Sequence, residues 1–319
     1  MIGRRTSMIC LFLALPVLAL AKEAAPSVSP AIARQIDGDI QAFLRQHDVA
    51  GATIAIYDHG TPIYKQAYGL RSRAGQLPVR TDTPFEIGSI TKQFTAAAIL
   101  QLKEAGKLDI DAPLATYLPD APHASEVTLK QLLSHTSGLP DYLNGPEPDA
   151  ELDRLATRPA TYPQLVARVQ GRPLEFPPGT RWSYSNTGYL LLGRVIEVVT
   201  GERYRDYLQC HILGPLGMRH TFTHADAAKP TGMAVGYRHV KGTLETAPDL
   251  HPDWSGAAGF LISTLDDLGR WDRALQDGRV VAPEDYRLMG SEVTTNDGEG
   301  TGYGLGLFVD SAFDQPRIG

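Results

Sequence analysis

Phe85-Glu86-Ile87-Gly88-Ser89-Ile90-Thr91-Lys92-Gln93-Phe94-Thr95-Ala96-Ala97-Ala98-Ile99-Leu100-Gln101-Leu102 reads as one long, mostly apolar helix that starts near Ser89. Ser89 and Lys92 stand three apart, which puts them on one helix face with about 5–6 Å between their Cβ atoms. A lysine in the first turn is locally unfavourable, because the helix N-terminus is already positive. Partly buried there, it tends to lose its proton and becomes a base beside a hydroxyl. Two structural alternatives stand beside this Ser-x-x-Lys reading. Ser89 is a common N-cap type, and the Lys92 stem is long enough to carry its ammonium to water. Two residues alone are a weak signal, so the rest of the chain decides.

Upstream, Ile32, Ile36, Ile40, Phe43 and Leu44 recur at helical spacing from Pro30 onward, and Gly51 marks the exit. A hairpin follows, with arms over 52–57 and 62–69 and a turn at Asp58-His59-Gly60. Residues 70–84 read as a polar loop that delivers the chain to Phe85. Downstream, Ala105-Gly106 ends the long helix. Thr128 caps a short helix over 129–133, which runs out at Ser134-His135-Thr136-Ser137-Gly138. Residues 138–163, rich in Pro, Gly, Asp and Ala, read as a variable loop region with one short helix, a natural place for substrate selection.

Phe176 to Asn186 is an extended lead-in, since the residue before each proline is pushed away from the α region. It opens a nearly all-apolar, deeply buried helix over 187–199. In an extended segment Tyr184 and Asn186 point the same way while Ser185 points away. A tyrosine and an asparagine are thus presented together at the mouth of a buried helix; the bland alternative is a helix cap beside a rim aromatic. Residues 229–255 are expected to carry an irregular two-strand excursion around Met233 to His239. Asp249, His251 and Asp253 have no second ligand cluster, so no metal site is expected. Thr264 heads a helix over 265–275 with Trp271 and Leu275 on its core face. Tyr303 to Val309 reads as a strand whose alternate glycines suggest close backbone packing or ligand approach.

Arg4 and Arg5, the apolar run Met8 to Leu20 and the small-x-small site Ala19-Leu20-Ala21 form a secretory signal over residues 1–21. The run is too short for a stable membrane span. A secreted or periplasmic domain over 22–319 is expected, of about 300 residues, enough for one large domain or two intimately packed ones. After cleavage only Cys210 remains, so an internal disulfide is excluded and the core alone must hold the fold. The 36 acidic against 30 basic residues, without a Lys/Arg cluster, argue against nucleic acid as a partner.

Ser89-x-x-Lys92 after Phe85-x-x-Gly88, Leu133-Ser134-His135-Thr136-Ser137-Gly138-Leu139, Tyr184-Ser185-Asn186, and Gly302-Tyr303-Gly304-Leu305-Gly306 occur in this order. The ordered set resembles the serine β-lactamase and penicillin-binding-protein superfamily, nearest to class C β-lactamases, their DD-peptidase relatives and the SxxK esterases. The resemblance implies an α+β fold: an antiparallel sheet, built from the hairpin and C-terminal strands, flanked by helices and packed on a mainly helical region, with the active site in the cleft. It implies Ser89 as nucleophile, Lys92 as its base, and Tyr184 as the proton shuttle on the far side of Ser89. Asn186 would hold the substrate amide or Lys92, and the Ser89 N–H with one N–H from a C-terminal strand would receive the oxyanion. Neither cofactor nor metal is implied. The substrate would be a small molecule or peptide, with a β-lactam, a D-alanyl peptide such as a peptidoglycan stem, and an ester as the candidates.

The family also carries a Lys/His-x-Gly triplet on a strand after the Gly-Tyr-Gly-Leu-Gly segment. This sequence reaches Pro316-Arg317-Ile318-Gly319 about where that triplet would begin. The expectation is therefore a piece of a longer protein, lacking the last strands and the covering helix, with an inactive truncated product as the alternative. A noncatalytic peptidoglycan- or peptide-binding module on the same fold is the other class of function.

Overall fold

A computed structural model describes residues 27–145, 149–223, 230–312 and 315–319. The export signal expected over residues 1–21 lies outside them. In chain order the first elements are α1 (Pro30–Gln46), β1 (Gly51–Asp58), β2 (Thr61–Ser72), β3 (Leu77–Pro78), β4 (Phe85–Glu86) and α2 (Thr91–Glu104). Then come α3 (Leu129–Leu133), α4 (Asp149–Ala156), α5 (Tyr162–Ala167), α6 (Asn186–Thr200), α7 (Tyr204–Leu208), β5 (Phe222–Thr223), β6 (Tyr237–Val240) and β7 (Thr243–Thr246). The last are α8 (Gly256–Gly259), β8 (Leu261–Ser263), α9 (Leu265–Gln276), α10 (Pro283–Met289), β9 (Val309–Ala312) and β10 (Gln315–Ile318).

α2 runs through the middle of the core. Ten of its fourteen residues are buried, from Thr91 and Lys92 to Leu102, which explains its lack of a polar face. Phe94 stacks on Trp271 of α9 with ring centroids 3.8 Å apart, and α3, α6 and α7 complete the same apolar cluster. α3 has the capping box its sequence announces, with Thr128 and Gln131 each satisfying the other's backbone N–H. α6 lies close against α8 because Gly193 has no side chain; a Cβ there would stand 2.5 Å from that of Ala257.

The α+β class holds, but the strands are dealt out differently from the single sheet expected. Among the described residues they form four small antiparallel ladders: β1-β2-β3, β4-β8-β5, β6-β7 and β9-β10. The hairpin has the expected arms, with His59 in the turn at a φ of +46°. α1 is pinned to it by Asp37, whose carboxylate accepts from the hydroxyls of Tyr64 and Tyr68, each at 2.6 Å. β9 pairs with β10 alone.

Two further differences have local causes. The two-strand excursion lies within 229–255 as expected, at 237–246 and so centred later than Met233 to His239. Residues 303–308 of the strand expected from Tyr303 to Val309 instead form a compact turn, and only Val309 joins β9. Gly302 and Gly306 take φ values of +65° and +83°, which breaks an extended run. The glycines do serve close packing: a Cβ on Gly304 would lie 2.0 Å from the Met289 carbonyl oxygen, and one on Gly306 would lie 2.8 Å from the Ala96 Cβ.

Candidate active site

The turn that carries Ser89 is built before α2 begins. Phe85 and Glu86 pair with Ser263 and Ile262 of β8. The Ile87 N–H then donates to the Leu261 carbonyl (2.9 Å), and the Leu261 N–H donates to Thr91 Oγ1 (3.2 Å). Gly88, at a φ of +50°, opens a 3-10 turn over Gly88–Ile90. Ser89 makes no capping bond and stands exposed at the floor of a cleft of about 440 Å³. Tyr142, Leu143, Leu250, Trp254 and Phe260 give the cleft mainly apolar walls.

Lys92, one turn on, is 1 % exposed. Its Nζ donates to Asn186 Oδ1 (2.9 Å) and to the Ala258 carbonyl (2.8 Å) and lies 3.2 Å from Ser89 Oγ. The snorkelling alternative is thereby removed. Burial pushes the Lys92 amine down to about 7, with the Asp141 carboxylate working the other way. On the opposite side of Ser89, the Tyr184 hydroxyl donates to Ser89 Oγ at 2.6 Å. Burial raises the Tyr184 phenol above its ordinary value, and its bond to Ser89 acts in the opposite sense. The Lys92 Nζ also sits 4.6 Å from the centre of the Tyr184 ring. The extended backbone at Ser185 turns Tyr184 and Asn186 to the same side, as the alternation requires.

The structure thus links Tyr184, Ser89, Lys92 and Asn186, in that order, in one hydrogen-bonded chain. Sequence reasoning missed three contributors: Asp141, His135 and the Ala258 carbonyl. Asp141 accepts from the Asn186 backbone N–H and from its Nδ2, both at 2.9 Å. His135 accepts at Nδ1 from the Ser185 N–H (3.2 Å), and its carbonyl accepts from the Ser183 N–H (3.0 Å). Its ring lies 4.4 Å from that of Tyr184, and burial together with the nearby Lys92 pushes the imidazole down to about 3. Residues 132–142 are buried throughout, so the first part of the supposed variable loop is a frame for the 183–189 segment. The Ser-His-Thr-Ser-Gly pattern and the proline-flanked Asp141 were the signal that this stretch has a fixed job.

Among the described residues no group of three or more His, Cys, Asp and Glu side chains suits a metal ion. His251 instead accepts at Nδ1 from the Asp253 N–H (3.3 Å), closing a short 3-10 turn. Among the same residues no helix is long and apolar enough to cross a membrane.

An exposed serine between a buried lysine and a tyrosine, on a mixed α/β scaffold, is the arrangement of a serine hydrolase. Residues 36–318 match the β-lactamase family model, and the chain belongs to that family of serine hydrolases. It is 31 % identical over 273 residues to a putative penicillin-binding protein, PbpX, of Bacillus subtilis; the match covers 85 % of this chain and 64 % of that one. Against three such curated relatives the chain spans 62 % to 65 % of their length. Among solved structures, an octameric penicillin-binding protein homologue from Pyrococcus abyssi superposes with a TM-score of 0.76 at 30 % identity, over 89 % of this chain and 67 % of that one. A D-stereospecific amidohydrolase from Streptomyces sp. superposes with a TM-score of 0.72 at 32 % identity, over 83 % and 79 %.

Proposed function

We propose that this protein hydrolyses an amide-like or ester bond through an acyl-enzyme on Ser89. The observation that carries the reading is the pair of contacts at Ser89 Oγ: Tyr184 OH at 2.6 Å and the buried Lys92 Nζ at 3.2 Å. A neutral lysine amine has two N–H donors and one lone pair. Asn186 Oδ1 and the Ala258 carbonyl can only accept, so they take both donors. The lone pair is left for the Ser89 hydroxyl proton.

In the proposed cycle Ser89 Oγ bonds to the acyl carbon and its proton passes to Lys92 Nζ. Tyr184 then gives its hydroxyl proton to the departing nitrogen or oxygen as that bond breaks, and is restored from Lys92. Water attacks the acyl-enzyme, loses a proton to the same pair, and frees Ser89. The Ser89 N–H is the oxyanion donor this segment offers, and such a donor is worth about 3–4 kcal/mol. β-Lactams, D-alanyl peptides and esters are the candidate substrates. Similarity to penicillin-binding proteins and to a D-stereospecific amidohydrolase favours a cell-wall-type D-amino acid peptide or a related amide. The N-terminal signal read at residues 1–21 would bring the domain to such a substrate outside the cytoplasm.

A fluorophosphonate probe and a fluorescent penicillin test the reading. One covalent label per chain, mapped to Ser89 and absent in Ser89→Ala, is the expected result. Labelling that survives Ser89→Ala would remove Ser89 from the chemistry, and reversible binding alone would favour a peptide-binding module.

A further inference from the structure

The Asp141 carboxylate faces the Tyr184-x-Asn186 segment and meets no substrate-like group directly. Its Oδ2 accepts both the backbone N–H and the side-chain Nδ2 of Asn186, while its Oδ1 accepts the Leu143 N–H (2.9 Å). It is only 6 % exposed. An ionised carboxylate can only accept, so the Asn186 Nδ2 must face it and the Asn186 Oδ1 must face Lys92. The orientation matters because an amide turned the other way would offer N–H groups to the lysine. Those N–H groups would occupy the lone pair that Ser89 needs.

We propose that Asp141 is a positioning residue: acting through Asn186, it keeps the Lys92 lone pair directed at Ser89. The neighbouring segment supports the same end. The Pro140 carbonyl accepts from Thr187 Oγ1 (2.7 Å), and Thr187 Oγ1 accepts from the Tyr142 N–H (3.0 Å). Asp141 is thus fixed to the first turn of α6 from both sides. The titratable groups around the Lys92 amine are Asp141, His135, Tyr184, Tyr189 and the Ser89 hydroxyl. Of these only Asp141 is a carboxylate, and its electrostatic effect favours protonated Lys92. Its removal lowers the pH at which Lys92 becomes a base.

The inference rests on Ser89 being the acylated nucleophile, and the experiment separates the two. The rate of fluorophosphonate labelling is measured against pH for the wild type, Asp141→Asn and Asp141→Glu. A wild type that takes no label at Ser89 sinks the proposed function itself. With the wild type labelled, Asp141→Asn is expected to lower the plateau rate by about tenfold or more and to move the acidic limb to lower pH. Asp141→Glu keeps the charge, so its limb stays near the wild-type position while the plateau falls. In an Asn186→Ala background, Asp141→Asn should lower the plateau no further, because the link it acts through is already gone. A wild-type plateau in either Asp141 variant overturns the proposal, as does a fall in Asp141→Asn with an unmoved limb. Should Asp141→Asn not fold, Asp141→Glu decides alone.

Discussion

Tyr184 holds its hydroxyl 2.6 Å from Ser89 Oγ while its ring packs on His135 and lies over the Lys92 amine. Those two parts separate cleanly. Tyr184→Phe keeps the ring contacts and deletes only the hydroxyl. Labelling of Ser89 and release of the label are both expected to slow, by about 10²- to 10⁴-fold if Tyr184 is the general acid and base. The melting temperature should stay near that of the wild type. Unchanged rates of both steps would take Tyr184 out of the mechanism. At this scale the sequence was legible where chemistry breaks a structural preference. Lys92 sits where a helix dipole disfavours it, and Tyr184 and Asn186 share a side by simple alternation. The 134–141 stretch was marked by its pattern, but the partners of His135, Asp141 and the Ala258 carbonyl were illegible for a different reason. Each acts through a backbone or a neighbour 45 or more residues away in sequence, and no local pattern encodes that partnership.

Ser89 and Lys92 are placed by the elements around the first turn of α2 as much as by α2 itself. β8 grips the turn through Leu261, and the Gly304–Gly306 turn presses on it from the other side. A Cβ on Gly306 would stand 3.1 Å from the Lys92 carbonyl oxygen as well as 2.8 Å from the Ala96 Cβ, at a φ of +83°. Gly306→Ala therefore combines left-handed strain with a clash, whereas Gly298→Ala, at a φ of +90° with open space around it, has only the strain. The strain alone is worth about 1–3 kcal/mol. Denaturant unfolding should show the larger loss for Gly306→Ala, with slower labelling of Ser89 in that variant only. Equal losses would mean that the turn does not buttress α2. Helices with caps and the hairpin with its glycine turn were readable because those signals are local. The glycine-rich turn was mistaken for a strand because alternating apolar and glycine residues fit an extended run until positive φ values interrupt it. The five residues that follow α7, Gln209–Leu213, wind as a π-helical turn.

Across the whole molecule, the site is bought with stability. In place of the expected single sheet there are small ladders; in one of them β4 and β5, two residues each, flank β8, which holds the Ser89 turn. No local pattern marks such short strands; the order of the motifs along the chain conveyed the fold instead. Inside the core that results, Lys92 is the one buried lysine among the described residues. Its amine falls from an ordinary value of 10.5 to about 7 on folding. Above pH 10.5 neither state is protonated and no penalty arises. As pH falls from 10.5 to 7 the unfolded chain gains a proton that the folded chain does not, and stability drops. Below about 7 the full penalty applies, about 5 kcal/mol for a shift of this size. Lys92→Met removes the penalty but leaves the Asn186 Oδ1 and Ala258 carbonyl without their donor, which costs about 1–3 kcal/mol for each. Relative to the wild type, Lys92→Met is therefore expected to gain about 5 kcal/mol of stability as pH falls from 10.5 to below 7. It should also fail to label at Ser89. A stability difference that does not change with pH would mean that Lys92 keeps its ordinary titration in the folded chain and that the proposed neutral base is wrong.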